Sequence, residues 1–170
     1  MQKTVRIALT GFMGVGKSSV ARHLAHLLGC RRIDLDVAIE EEQRRSVASV
    51  IDTDGLDAYR MLETKALENE LARPESVVIS LGGGTWTIPR NRELIRNAKF
   101  TSIWLESSFE HCWYNIKYSR KDRPLARTKG DALKLFEDRQ KDYCLADLHF
   151  IIKPEFNSFD VASKIFEEIS

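Results

Sequence analysis

The sequence predicts an α/β protein, a three-layer α/β/α domain with a five-stranded parallel sheet between two sets of helices. Three observations predict it. Short β-branched runs alternate with longer amphipathic stretches, as when crossover helices cover a parallel sheet. A glycine-rich loop separates the first such run from the first helical stretch. The length of 170 residues, 43% of them hydrophobic, suits a single buried core.

Five runs read as strands: Val5 to Leu9, Arg32 to Leu35, Val77 to Leu81, Thr101 to Leu105 and Phe150 to Ile152. After the first, Lys17 to Leu28 places Val20, Leu24 and Leu28 at i, i+4 and i+8, the spacing of a helix with one buried face. Leu56, Tyr59, Leu62 and Ala66 carry a helical period, as do Val161, Ile165 and Ile169 near the C-terminus. One segment breaks the pattern. Tyr118 to Gly130 is dense in Lys and Arg, contains Pro124 and lacks either hydrophobic period, so it is expected to form a mobile surface loop of the kind that closes over active sites. With no repeat, low-complexity tract or linker to divide the chain, residues 1–170 are expected to form one domain.

Composition removes several function classes. Lys and Arg total 26 against 25 Asp and Glu, so no global field recruits nucleic acid or an anionic membrane, and neither is expected as a partner. Cys30, Cys112 and Cys144 are odd in number and widely spaced, which argues against a disulfide framework or a zinc site and fits a reducing compartment. His23, His26, His111 and His149 show no ligand spacing and are read as structural. No signal-peptide pattern and no run of about 18 apolar residues occurs, so a soluble, cytoplasmic protein is expected.

The first chemical motif is Gly11-Phe-Met-Gly-Val-Gly-Lys17-Ser18, a full match to G-x-x-x-x-G-K-[ST] placed between a strand and a helix. Its glycines allow successive N–H groups to face one anion, and the helix N-terminus adds its positive end. Lys17 is expected to reach the β- and γ-phosphates, and the Ser18 hydroxyl to ligate Mg²⁺. Gly11, Gly14, Val15, Gly16, Lys17, Ser18 and Ser19 are the nucleotide-binding candidates. A dinucleotide-binding reading fails, because Gly14 and Gly16 would need Gly or Ala where Ser19 stands.

Asp34 and Asp36 end the second strand run, and i, i+2 spacing puts both carboxylates on one face if the strand persists that far. Ligands of open α/β sheets bind outside the carboxyl ends of strands. One carboxylate can complete a Mg²⁺ shell through water and the other can accept a hydrogen bond from an attacking hydroxyl, or Asp36 can cap a helix starting at Val37. Farther on, Arg60 and Glu63 lie one turn apart and can pair. The triplet Gly82-Gly83-Gly84 follows an apolar strand, so its backbone can approach a ligand unobstructed. Arg139 shares a helical stretch with Leu135 and Tyr143, which turns its charge toward a partly apolar face and leaves it in need of a partner. In the basic loop, Arg123 is the candidate for stabilising charge on a transferring phosphoryl group, with Lys117 a further candidate for approaching the nucleotide and Arg120 and Lys121 read as solvated.

The loop, the D-x-D pair, Y-R-x-x-E, G-G-G, R-P-L and R-x-x-x-Y occur here in the order and approximate spacing of shikimate kinases, which the chain resembles from Gly11 to Tyr143. The resemblance implies a P-loop kinase fold with a lid, ATP as donor with Mg²⁺, and shikimate as acceptor; a monomer is expected. It implies that Asp34 lies near the metal and Asp36 holds the substrate hydroxyls. It further implies that Arg60, fixed by Glu63, grips the substrate carboxylate together with Arg139. Gly82, Gly83 and Gly84 would line the acceptor site with Gly83 closest, and Arg123 would belong to the lid. The sequence departs from the family pattern at Leu56, Tyr59, Trp86 and Ala126, and Tyr59 and Trp86 are expected to reshape the acceptor pocket or its rim. A rival reading as a GTPase rests on Asp52-Thr-Asp-Gly55 and Thr128-Lys-Gly-Asp131, but the second should end a buried strand, and the residues before it are charged and contain a proline.

Overall fold

A computed structural model describes residues 3–170. The chain runs β1 (Arg6–Thr10), α1 (Lys17–Leu28), β2 (Arg31–Asp34), α2 (Leu35–Gln43), α3 (Val47–Asp54), α4 (Leu56–Leu71), β3 (Val77–Ser80), α5 (Pro89–Asn97), β4 (Thr101–Glu106), α6 (Phe109–Tyr118), α7 (Lys129–Tyr143), β5 (Leu148–Ile151) and α8 (Ser158–Ile169). Short 3₁₀ turns cover Thr85–Thr87 and Pro124–Ala126. The five strands form one sheet in the order β2-β3-β1-β4-β5, every neighbouring pair parallel.

The expected sheet is therefore present, and its central strands explain their own composition. Ile7, Ala8 and Leu9 of β1 and all four residues of β3 are buried, as required where helices cover both faces of a parallel sheet. Helices α1 and α8 pack on each other, while α4 gathers α2, α3 and α5 into a second group. Leu24 of α1 and Ile165 of α8 enter the same core as Leu9, Ile79 and Leu105, each such side chain contributing about 1.5–3 kcal/mol by leaving water. Helix ends follow local chemistry. Gly29 adopts the left-handed conformation that closes α1, Pro89 opens α5, and Asn157 and Asp160 form a reciprocal capping box at α8.

Three expectations change. Strand β5 runs Leu148–Ile151, starting two residues before the expected Phe150 and leaving out Ile152. Strand β2 stops at Asp34, and Leu35, expected in the strand, is the first residue of α2. The Asp34 carboxylate accepts from the Val37 backbone N–H at 3.2 Å, so capping falls to Asp34, not Asp36, and the two acids do not share a strand face. The basic segment is also more ordered than a bare loop. Tyr118 ends α6, Lys129 and Gly130 open α7, and between them Pro124–Ala126 turns inward and buries Ala126. Among the described residues no helix is long and apolar enough to cross a membrane.

Candidate active site

At the carboxyl ends of β1, β2 and β3 lies a cleft of about 470 Å³. The loop after β1 forms its floor. Gly14 and Gly16 hold φ of 80° and 101°, in the left-handed region, and a Cβ on Gly14 would stand 2.6 Å from the Cys112 carbonyl oxygen of α6. Asn115 of α6 donates to the Gly14 carbonyl at 2.8 Å and braces the same turn. Lys17 is buried, its Nζ donating to the carbonyls of Gly11 at 2.7 Å and Phe12 at 3.1 Å. Burial lowers its pKa to about 8, with the nearby charge of Asp36 opposing the fall. The loop thus holds its lysine by carbonyl bonds of the kind that phosphate oxygens, as stronger charged acceptors, can replace.

Ser18 donates from Oγ to Asp34 Oδ2 at 2.5 Å, bringing a hydroxyl and a carboxylate together at the start of α1. Both are hard oxygen donors, and no group of three or more His, Cys, Asp or Glu suited to a metal occurs among the described residues. That donor set fits Mg²⁺, which keeps several waters and takes its remaining ligands from substrate phosphates.

Asp36 projects from the first turn of α2 toward the cleft. Its Oδ1 lies 3.1 Å from the Tyr59 hydroxyl and its Oδ2 lies 3.1 Å from Lys121 Nζ. Tyr59 and Arg60 come from adjacent positions of α4, with Glu63 one turn on. Glu63 is 0% exposed, so its pairing with Arg60 (Nη1 to Oε1, 2.7 Å) is not a solvated surface contact. Glu63 Oε2 accepts from Thr85 Oγ1 at 2.8 Å, which ties α4 to the turn after the glycine triplet.

Side-chain ends press closely on the triplet, so a side chain there would have to displace them. A Cβ at Gly82 would fall 2.9 Å from Asp36 Oδ1, one at Gly83 would fall 3.1 Å from Arg139 Nη1, and one at Gly84 would overlap the Arg60 guanidinium. Arg139 of α7 is 6% exposed, and its Nη1 has no hydrogen-bond partner. Burial lowers its pKa, and the charge of Arg60 acts in the same direction. Two guanidinium groups therefore converge on one glycine turn, one of them with an unsatisfied buried N–H, an arrangement suited to an anionic ligand. Tyr143, one turn beyond Arg139, donates to the Gly83 carbonyl at 2.6 Å and fixes the turn against α7.

Arg123, Pro124 and Leu125 face the cleft from the basic segment, and burial lowers the Arg123 pKa against the attraction of Asp36. Arg127 binds Asp122 within the segment and Asp52 of α3, the latter at 2.6 Å, so the segment is anchored across the cleft mouth.

Gly14, Gly16, Lys17, Ser18, Ser19, Asp34, Asp36, Arg60, Gly82, Gly83, Gly84, Arg123 and Arg139 all line the cleft. Gly11 and Val15 do not: Gly11 offers its carbonyl to Lys17, while Val15 is buried and donates its N–H to the Phe12 carbonyl. Trp86, expected to affect the pocket or its rim, is fully buried and donates from Nε1 to the Asp142 carbonyl at 2.8 Å. Lys117 lies over the Tyr118 ring outside the cleft. Lys121, read as solvated, reaches Asp36 instead. The sequence reading also missed Met13, Val47, Ile51, Asn115 and Ser158 on the cleft wall. Of these only Met13 carried a local signal, as a variable position of the glycine-loop motif. The guanine-reading match fails structurally, since Thr128 caps α7 and Asp52 lies in α3, with no strand ending at either.

Comparison with known proteins places the chain in a family. The family model described as shikimate kinase matches residues 13–170. The shikimate kinase of Lactococcus lactis subsp. cremoris (strain MG1363) is 36% identical over 166 residues, covering 96% of this chain and 93% of that protein. That of Streptococcus thermophilus is 36% identical over 144 residues, covering 82% and 86%. Among solved structures, shikimate kinase from Acinetobacter baumannii in complex with shikimate superposes with a TM-score of 0.90 at 29% identity, covering 98% of this chain and 93% of that one. A gluconokinase from Sinorhizobium meliloti shares the fold, with a TM-score of 0.63 at 17% identity. The span matched by the family model holds the loop lysine, the acidic pair and both cleft arginines, and the chain belongs to the shikimate kinase family.

Proposed function

We propose that the cleft transfers the γ-phosphate of ATP to the 3-hydroxyl of shikimate, giving shikimate 3-phosphate and ADP, a step in aromatic amino-acid biosynthesis. The reading rests on the unpaired buried Nη1 of Arg139 beside Arg60, since a substrate carboxylate would satisfy both guanidinium groups at once. On this reading Arg60 and Arg139 clamp the carboxylate against Gly82, Gly83 and Gly84, with Glu63 holding the Arg60 fork in place. Asp36 accepts the hydrogen bond of the attacking hydroxyl and orients or deprotonates it.

At the donor end, Gly14, Gly16, Ser18 and Ser19 hold the phosphates of ATP. Lys17 exchanges its loop carbonyls for β- and γ-phosphate oxygens, and Arg123 faces the charge that spreads over the γ-phosphate during transfer. Ser18 and Asp34 would hold Mg²⁺, which offsets phosphate charge when bound. Residues 1–170 are proposed to work as one domain, as a cytoplasmic monomer whose partners are the two small substrates.

ADP release by the purified protein, with shikimate, gluconate and nucleoside monophosphates offered separately, tests the assignment. Turnover is expected with shikimate alone, and none with shikimate overturns it.

A further inference from the structure

The Tyr59 ring packs in the hydrophobic core, and its hydroxyl points out of that packing toward two carboxylates. The side chain is 4% exposed, and its oxygen lies 3.1 Å from both Asp36 Oδ1 and Glu63 Oε2. A phenol has one proton and can donate to only one of these carboxylates. Glu63 is already supplied. Arg60 donates to its Oε1 at 2.7 Å and Thr85 to its Oε2 at 2.8 Å. Asp36 Oδ1 receives no other donor among the described residues, while Oδ2 faces the lid and is reached by Lys121. Burial, and then the charges of Asp36 and Glu63, raise the Tyr59 pKa well above its ordinary value, so the hydroxyl keeps its proton to donate.

Building on the acceptor role proposed for Asp36, we propose that Tyr59 is a positioning residue for phosphoryl transfer: its O–H holds Asp36 Oδ1, leaving Oδ2 turned toward the acceptor hydroxyl. Gly82 makes room for this arrangement, because a Cβ there would stand 2.9 Å from the same Oδ1. Without the phenol, Asp36 in the first turn of α2 is free to rotate between its oxygens and away from the acceptor. The loss then falls on the chemical step and not on the grip of the carboxylate, which Arg60, Glu63 and Arg139 keep.

Single-turnover ADP formation, with shikimate titrated, separates these quantities in wild type, Tyr59→Phe and Thr85→Val. Tyr59→Phe retains the ring and is expected to slow the saturated rate about tenfold, the effect of one orienting hydrogen bond, with half-saturation by shikimate within about twofold of wild type. Thr85→Val touches Glu63 but not Asp36 and is expected to raise half-saturation with little change in rate. A Tyr59→Phe rate equal to wild type, even with a lower melting temperature, overturns the inference. So does a Tyr59→Phe profile that copies Thr85→Val, which would place the phenol on Glu63. Shikimate turnover by wild type with no rate change in Tyr59→Phe sinks this inference alone, whereas no turnover by wild type removes the acceptor assignment as well.

Discussion

Lys121 crosses the cleft mouth to Asp36, its Nζ 3.1 Å from Oδ2 of a residue 85 positions earlier in the chain. On the role proposed for Asp36, the ammonium holds the carboxylate oxygen that the acceptor hydroxyl would use, and shikimate would have to displace it. The lysine side chain is 44% exposed, so the contact is screened and contributes at most about 1 kcal/mol. Lys121→Ala is expected to tighten shikimate binding by less than about fivefold at low ionic strength, with the difference vanishing near 0.5 M salt, where the screening length falls to a few ångströms. Calorimetric titration at two salt concentrations checks both parts. Weaker binding by the variant would show that Lys121 helps to hold the acceptor.

Arg139 carries a charge with an unsatisfied N–H in a nearly dry site, a burden to the ligand-free fold. Arg139→Met fills similar volume without that burden. Ligand-free protein is expected to gain about 1–2 kcal/mol in stability, while shikimate affinity falls about 100-fold or more and ATP affinity stays within about twofold. Thermal melts with and without shikimate read this directly: the acceptor should raise the wild-type midpoint and leave that of the variant unmoved. A variant less stable than wild type would mean that the guanidinium contributes more to packing than its missing partner suggests.

Gly84 tests the grip from the backbone side. A Cβ there would overlap the Arg60 guanidinium and force it off Glu63. Gly84→Ala is expected to raise the KM for shikimate about tenfold or more while leaving the KM for ATP nearly unchanged, measured by coupled ADP release. Parallel loss at both substrates would instead point to collapse of the turn.

The parts of this site legible in the sequence are those set by local chemistry. The glycine loop, the helix that follows it, and the pairing of Arg60 with Glu63 depend on spacing within one or two turns of chain, and all occur where expected. The acidic pair was only half legible. Both acids reach the cleft, but Asp34 starts α2 two residues earlier than read, because a capping carboxylate beside an apolar run competes with strand extension. Trp86 and Lys121 were misread for a different reason. The indole is buried by a bond to Asp142 at a separation of 56 residues, and the ammonium is placed by a fold of the lid over α2. No local period reports contacts of that range.

Tyr143 links the glycine turn to alkaline stability. Burial raises its pKa from the ordinary 10.0 to about 12, against the opposing pull of Arg139, while its O–H donates to the Gly83 carbonyl. The folded state therefore binds this proton more tightly than the unfolded chain does. Its contribution is fully present below about pH 10 and is lost as pH rises from there through about 12, an effect of at most about 3 kcal/mol. Tyr59, held protonated by burial and two carboxylates, and Cys112, pushed up to about 11 by burial, act with the same sign. Lys17, whose pKa burial lowers to about 8, acts with the opposite sign up to about pH 10.5, so urea midpoints are expected to fall between about pH 10.5 and pH 12 in wild type. Tyr143→Phe cannot ionise at this position, so its midpoint should fall less steeply across the same interval, even though the lost Gly83 bond costs about 1 kcal/mol of stability at pH 8. Equal slopes in the two proteins would mean that Tyr143 ionises in the folded state as readily as in the unfolded chain.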